Sequence, residues 1–331
     1  MVLLVTGATG LLGNNVVRLA LERGRAVRVL RRSASADKPL AGLDVEIVVG
    51  DVCDAGCLRK AMRGVDRVIH AAGHVHIGWS GLDTHRAINV EGTRNVARAA
   101  RDAGARMVHI STVDTLGLGT RAQPADEETP ADAAVRYPYV QSKRQGEAVV
   151  LDLVREGLDA VIVNPAFMLG PWDWKPSSGR MLLDVVAARP MLAPRGGNDF
   201  CDVRDVADGI LRAMDRGKAG RRYVLGGEPL RYLEAWRMFA EVAGSRGPVV
   251  RAGPMMVWVV GRSGDLWHRV TGREPLINSA ATELSSLPHH FSYARAAAEL
   301  GYAPRPARQA AEAAWHWFLE YGYARAIRRS P

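Results

Sequence analysis

Long apolar runs are missing from this chain. The most hydrophobic stretch, residues 255–260, is closed off by Pro254 and Gly261, far short of the ~20 residues a bilayer-spanning helix needs. Cysteine is scarce as well. Cys53, Cys57 and Cys201 are too few and too scattered for a disulfide framework, and Cys53-x-x-x-Cys57 lacks the second ligand pair of a structural zinc site. Lysine is nearly absent, being confined to Lys38, Lys60, Lys143, Lys175 and Lys218, so the net charge of +9 comes from arginines dispersed through an Ala- and Gly-rich chain. Such dispersal argues for no nucleic-acid partner, which would need clustered cations, while the positive field favours an anionic, phosphate-bearing cofactor. No basic leader or small-residue cleavage site precedes the first apolar run, so a cytoplasmic protein is expected.

What remains is an ordinary globular composition: 331 residues, 47% hydrophobic and 24% charged. The length fits one large domain or two fused ones. Apolar runs at 2–6, 26–30, 45–49, 65–71, 105–110 and 159–163 have the length and bounding signals of strands. Helical periodicity covers 11–22, 54–63 with Asp54 as N-cap, 84–103 and 139–156. Strict alternation with short connections predicts an α/β fold, a Rossmann-type doubly wound parallel sheet. After Asn164-Pro165 the alternation stops. Seven tryptophans follow (Trp172, Trp174, Trp236, Trp258, Trp267, Trp315 and Trp317), with helices near 231–243, 255–271 and 307–321. The expected division is a dinucleotide-binding domain at 1–165, with 200–226 returning to it, and a smaller, mostly helical C-terminal substrate-binding cap at 166–199 and 227–331. A cleft between them would take the ligand.

Thr6-Gly7-Ala8-Thr9-Gly10-Leu11-Leu12-Gly13 lies where the first strand turns into the first helix. Glycines there permit a sharp turn, close helix–strand packing and approach of a pyrophosphate to the helix amides. Gly7, Thr9, Gly10, Leu11 and Leu12 are therefore the candidate contacts of a dinucleotide. The second strand ends in Arg31-Arg32, where an NAD-preferring protein usually presents an acid. Guanidinium groups there suit a 2′-phosphate, which favours NADP(H), with NAD(H) as the alternative. Asp51-Val52, after the third strand, is placed to neighbour the adenine, although Asp51 could equally serve as a capping residue.

Tyr139-Val140-Gln141-Ser142-Lys143 sets a phenol and an ammonium four residues apart on one helix face. An adjacent ammonium stabilises phenolate, so Tyr139 is expected to have a lowered pKa and to exchange a proton with a substrate oxygen. With the glycine turn, Gly50-Asp51-Val52, His70-Ala71-Ala72-Gly73, Asn89-Val90-Glu91-Gly92-Thr93, Ser111-Thr112, Asn164-Pro165 and Asp202-Val203-Arg204-Asp205-Val206-Ala207, the chain resembles an extended short-chain dehydrogenase/reductase. The match to 110–117 and 170–176 is closest to the dihydroflavonol reductase-like and 3β-hydroxysteroid dehydrogenase-like branch. The resemblance implies that Tyr139 is the general acid/base and that Lys143 holds the nicotinamide ribose. It also implies that Thr112, or failing it Ser111, binds the reacting oxygen, that Asn89, Ala71 and Ala72 line the cofactor groove, and that Pro165 sits beside the nicotinamide.

The expected reaction is NADP(H)-dependent interconversion of a ketone and a secondary alcohol on an apolar small molecule. Two alternatives stand beside it: a nucleotide-sugar epimerase or dehydratase with tightly held NAD, and a non-catalytic NADP-binding sensor. Sugar-nucleotide enzymes often carry an arginine where this chain has Asn198, and Arg195, Arg204 or Arg231 would have to substitute. Trp172 and Trp174 are candidates for an aromatic pocket or for core packing, and Trp79 for a loop overhanging the nicotinamide. His74, His76 and His85 match no metal-ligand spacing, so no metal is expected. Met255, Met256, Trp258 and Val259 could meet a membrane surface near Arg325, Arg328 and Arg329, but core packing is the expectation. The helices at 84–103 and 139–156 would suit a homodimer face, and a monomer is equally compatible.

Overall fold

The computed structural model describes residues 1–133 and 135–325. Short aliphatic and β-branched runs form its strands: β1 (Val2–Thr6), β2 (Ala26–Arg31), β3 (Glu46–Val49), β4 (Arg67–His70), β5 (Arg106–Ile110), β6 (Ala160–Pro165), β7 (Phe167–Leu169), β8 (Leu192–Ala193), β9 (Gly197–Asp202), β10 (Arg222–Leu225), β11 (Glu228–Arg231) and β12 (Val250–Arg251). The α-helices between them are α1 (Leu11–Glu22), α2 (Ala55–Ala61), α3 (Leu82–His85), α4 (Thr93–Asp102), α5 (Pro138–Arg155), α6 (Ser178–Ala188), α7 (Val203–Arg216), α8 (Tyr232–Ala243), α9 (Pro254–Thr271), α10 (Ser279–Leu284), α11 (Ala294–Leu300) and α12 (Ala307–Glu320).

Seven strands make one sheet in the order β10–β6–β5–β4–β1–β2–β3, every pair parallel. Parallel neighbours require crossovers, and the helices supply them on both faces. One face packs under α1 and α7 around Val16, Val17, Ile210 and Met214; the other packs under α2, α4 and α5 around Leu58, Val96, Val150 and Leu153. The strand order reverses between β1 and β4, which opens a crevice at their C-terminal ends, the usual ligand position in such sheets. Thr6 and His70 are register partners across this point, and the buried His70 ring bridges Thr6 Oγ1 (2.7 Å) and Thr93 Oγ1 (3.1 Å).

The region beyond β6 is mostly helical, with small sheets β11–β9–β7 and β12–β8 that periodicity does not reveal. Of these, β7, β8 and β12 have only two or three residues and carry no readable period. Its own core gathers Phe200, Phe239, Trp317 and Phe318. Trp172 and Trp174, half-buried, pack against that aromatic cluster, Trp174 meeting Trp317 edge-on at 5.1 Å. The Arg18 guanidinium lies 3.4 Å from the Trp172 ring centroid, tying the cluster to α1. Met255, Met256, Trp258 and Val259 correct the expectation of core packing: all four are exposed, because α9 buries only Gly261 and Gly264. Arg328 and Arg329 lie outside the described residues. Among the described residues, no helix is long and apolar enough to cross a membrane.

The helix expected over 84–103 is three pieces in succession. Between α3 and α4, residues Arg86–Gly92 wind as a π-helix, a form frequent at functional sites. It carries Asn89.

Candidate active site

The glycine turn between β1 and α1 is built by close backbone approach. Gly7 has φ +74°, and a Cβ there would stand 2.6 Å from the Ala71 carbonyl and the Ala72 amide nitrogen; one on Gly13 would stand 2.2 Å from Gly7 O. Gly10 is the N-cap of α1 and provides no side-chain cap, so the first-turn amides face an exposed glycine with half-buried Thr9 beside it. Leu11 and Leu12 are buried beneath the turn. Uncapped amides at an open helix start fit an anionic pyrophosphate. Ala71 N donates to Thr6 O (3.2 Å) and Ala72 N to Thr6 Oγ1 (3.3 Å), holding the opposite wall.

At the outer end of the crevice the two arginines differ. Arg31 is largely buried and ion-paired with Asp37, while Arg32 is exposed. Burial, followed by the charges of His76, Arg32 and Lys175, lowers the His74 imidazole. Asp51 Oδ1 accepts from Cys53 N at 2.9 Å and so shapes the turn after β3, while the Val52 side chain is buried against Gly92. Asn89 is 2% exposed, and its amide is consumed by protein: Oδ1 accepts from His74 N (2.7 Å), and Nδ2 donates to His74 O (2.9 Å) and Ser142 Oγ (2.9 Å). It braces the groove wall against α5. Pro165 ends β6, buried and in register with Leu225.

Tyr139 and Lys143 lie one turn apart near the start of α5, both buried. The Tyr139 hydroxyl hydrogen-bonds to Thr112, whose Oγ1 donates to Asp114 Oδ2 at 3.0 Å. Lys143 Nζ donates to Ile110 O at 2.6 Å. The electrostatics correct one expectation. Tyr139 sits above its ordinary value, because burial disfavours phenolate, the Asp114 charge adds to that, and the Thr112 hydrogen bond only partly opposes them. Lys143 is pulled down to about 8 by burial, with Glu147 opposing. Desolvation outweighs the attraction that spacing alone predicts. Ser111 is also buried, its hydroxyl without a partner among the described residues.

Three side chains escaped sequence reading. Glu147, one turn past Lys143, accepts from Thr115 Oγ1 (2.8 Å), Asn164 Nδ2 (2.7 Å) and Arg222 Nε (2.9 Å), binding α5 to β6 and β10. Asp114 follows Thr112 by two residues, and that proximity was its available signal. His289 is buried with Nε2 3.9 Å from Asp114 Oδ1, and comes from a segment far along the chain. Trp79 is held at two points: its amide donates to Glu274 Oε1 and its indole N–H to Ser279 Oγ, each at 2.8 Å. His76 pairs with Glu274, and no metal-binding group of three ligands occurs among the described residues.

Comparison with known proteins bears on this arrangement. The profile of the NAD dependent epimerase/dehydratase family matches residues 3–226. Sterol demethylase protein B of Methylococcus capsulatus is 36% identical over 327 residues, spanning 97% of this chain and 99% of that protein. A 4-hydroxy-2-methyl-3-oxo-4-farnesyl-3,4-dihydroquinoline-1-oxide ketoreductase of Stigmatella aurantiaca is 31% identical over 313 residues, 92% of each chain. The crystal structure of gox2253 superposes with a TM-score of 0.86 at 38% identity, covering 98% of this chain and 99% of that one. The chain is thus an enzyme of the NAD dependent epimerase/dehydratase family, an extended short-chain dehydrogenase/reductase that uses a nicotinamide cofactor.

Proposed function

We propose that this enzyme is an NADP(H)-dependent oxidoreductase that interconverts a ketone and a secondary alcohol on a largely apolar small molecule. The observation that carries the reading is the hydrogen-bonded series Tyr139–Thr112–Asp114 beside buried Lys143. The dinucleotide, bound on the glycine turn, supplies or accepts the hydride. Tyr139 Oη delivers the proton to the carbonyl oxygen, and the Thr112 hydroxyl steadies that oxygen as negative charge develops. Burial, with the Asp114 charge adding to it, keeps the phenol protonated and therefore ready to donate, which favours ketone reduction. The proton is replaced from solvent at the Asp114 carboxylate, which is 16% exposed, and passes through the Thr112 hydroxyl to Tyr139 Oη. Lys143 holds the ribose and keeps a positive charge near the phenol.

The apolar substrate class is supported by two relatives, a sterol demethylase protein and a farnesylated-quinoline-oxide ketoreductase. Against the sugar-nucleotide alternative, Asn198 stands where those enzymes often carry an arginine, and Arg204, one of the three possible substitutes, is paired with Asp202 at 2.6 Å, while Arg195 and Arg231 are exposed. NADPH consumption measured across steroid, flavonoid, acyl-ketone and sugar-nucleotide panels tests the reading. Conversion of a sugar nucleotide without net dinucleotide turnover would replace it with the epimerase reading.

Two further outcomes are expected. Arg32→Ala should weaken NADPH binding by about ten- to a hundredfold, the value of one or two charge-assisted hydrogen bonds, and barely alter NADH binding. Equal losses in a titration would remove the 2′-phosphate assignment. Turnover should fall above about pH 8 as Lys143 loses its proton. Lys143→Arg, whose guanidinium stays charged, should move that limb upward; an unmoved limb would assign it to another group. The same shift acts on stability with a defined sign. The folded value of about 8 lies below the ordinary 10.5, so the penalty for burying the ammonium is fully present below 8 and is relieved between 8 and 10.5.

A further inference from the structure

Helix α9 turns its large side chains away from the protein. A Cβ on Gly261 would come within 2.3 Å of Thr282 Oγ1, and one on Gly264 within 2.0 Å of Ile277 O, so α9 rests on α10 and the loop before it through bare backbone. Counting ~100° per residue, Met255, Val259, Leu266 and Val270 fall on the opposite side, exposed by 80, 49, 61 and 77%. Trp258 and Trp267 flank them, and Leu276 and Ile277 extend the apolar surface beyond the helix end, all at 59% exposure or more. Scattered exposed apolar residues need no explanation, but a grouped ridge of this kind marks an interaction surface.

Charge selects the partner. Between residues 249 and 277 the exposed charged residues are Arg251, Arg262, Arg269 and Arg273. The acids of the same segment are mostly drawn inward: Asp265, 18% exposed, accepts from Ser279 N and at 3.4 Å from Arg262, and Glu274 is folded under Trp79 and Ser80 with a side chain 5% exposed. An isologous dimer through this face would set the arginines of two copies against one another. An anionic lipid surface satisfies all of them. An apolar ridge with tryptophan at its border and arginine along one flank is the composition of a helix lying in a membrane interface.

We propose that α9 docks flat on an anionic lipid surface, with Met255, Val259, Leu266 and Val270 entering the acyl boundary and the arginines meeting the headgroups. Docking would set the active-site approach against the lipid, because Trp79 is bonded to Ser279 at the start of α10 and its ring packs 5.2 Å from that of Tyr137, two residues before Tyr139.

The test is flotation of the full chain with vesicles of phosphatidylcholine plus phosphatidylglycerol, against vesicles of phosphatidylcholine alone. Flotation with the anionic vesicles is expected, weakened about fivefold for each of Arg262→Gln and Arg269→Gln and lost in a Leu266→Glu/Val270→Glu double variant. These side chains are solvent-exposed, so the thermal midpoint and dinucleotide affinity should stay at wild-type values. Quenching of tryptophan fluorescence by brominated lipid gives a reading on the wild type that needs no variant. Absence of flotation and quenching, equal binding to both vesicle types, or a wild-type dimer that the double variant converts to monomer would each overturn the proposal.

Discussion

Replacing Tyr139 by phenylalanine is expected to lower turnover by about 10²–10⁴-fold, the usual range for loss of a positioned proton donor. Dinucleotide affinity should stay nearly unchanged. The substitution removes one hydroxyl and leaves the ring in its cluster with Val135, Tyr137, Val140 and Ala280, so α5 keeps its place against the sheet. The hydroxyl bonds to Thr112, which passes its own hydrogen to Asp114; its loss breaks the series at the substrate end. Steady-state turnover and a dinucleotide titration on the same preparation separate the two effects. Unaltered turnover would sink the acid/base assignment. Lost dinucleotide affinity would show instead that Tyr139 serves the groove.

The second large effect is expected from the glycine turn, where two substitutions of one methyl group should act differently. In Gly13→Ala the new Cβ meets backbone alone, 2.2 Å from Gly7 O, 2.7 Å from Gly7 C and 3.0 Å from Ala8 Cα. No rotamer change can relieve that contact, so α1 must shift from β1. Overpacking of this kind costs about 1–3 kcal/mol or more, and dinucleotide binding should be lost with it. In Gly10→Ala the nearest atom is Gly7 O at 3.5 Å, an ordinary contact. That variant should melt at the wild-type temperature, yet it adds a methyl group at the exposed N-cap of α1, beside the first-turn amides that would receive the pyrophosphate. Thermal unfolding with and without NADPH distinguishes them, since a bound ligand raises the midpoint. A Gly10→Ala protein stabilised by NADPH as strongly as wild type would show that the pyrophosphate does not approach α1 there.

Much of the sheet-forming half is legible in the chain because its signals are local. The period over 11–22 ends where α1 ends, and Asp54 caps α2 by accepting from Gly56 N and Cys57 N. Tyr139 and Lys143 share a helix face on spacing alone. The partners that tune them are another matter. Glu147 is one turn from Lys143 in sequence, but Asn164 and Arg222, which engage its carboxylate, arrive from β6 and β10. His289 reaches Asp114 from beyond α10. Asn89 is named by its motif, while the π-helix that carries it has no separate sequence signal.

Sequence by itself determined the alternating elements, the glycine turn, the phenol–ammonium spacing and the shortness of the apolar runs, since each depends on neighbours a few residues apart. Tertiary structure decided what water can reach. It buried Tyr139 until its hydroxyl rose above its ordinary value, drew Trp172 and Trp174 against an aromatic core, and left Trp258 and Trp267 on the surface. The reason is physical: spacing sets which side chains share a face, but solvation depends on every element that packs over that face.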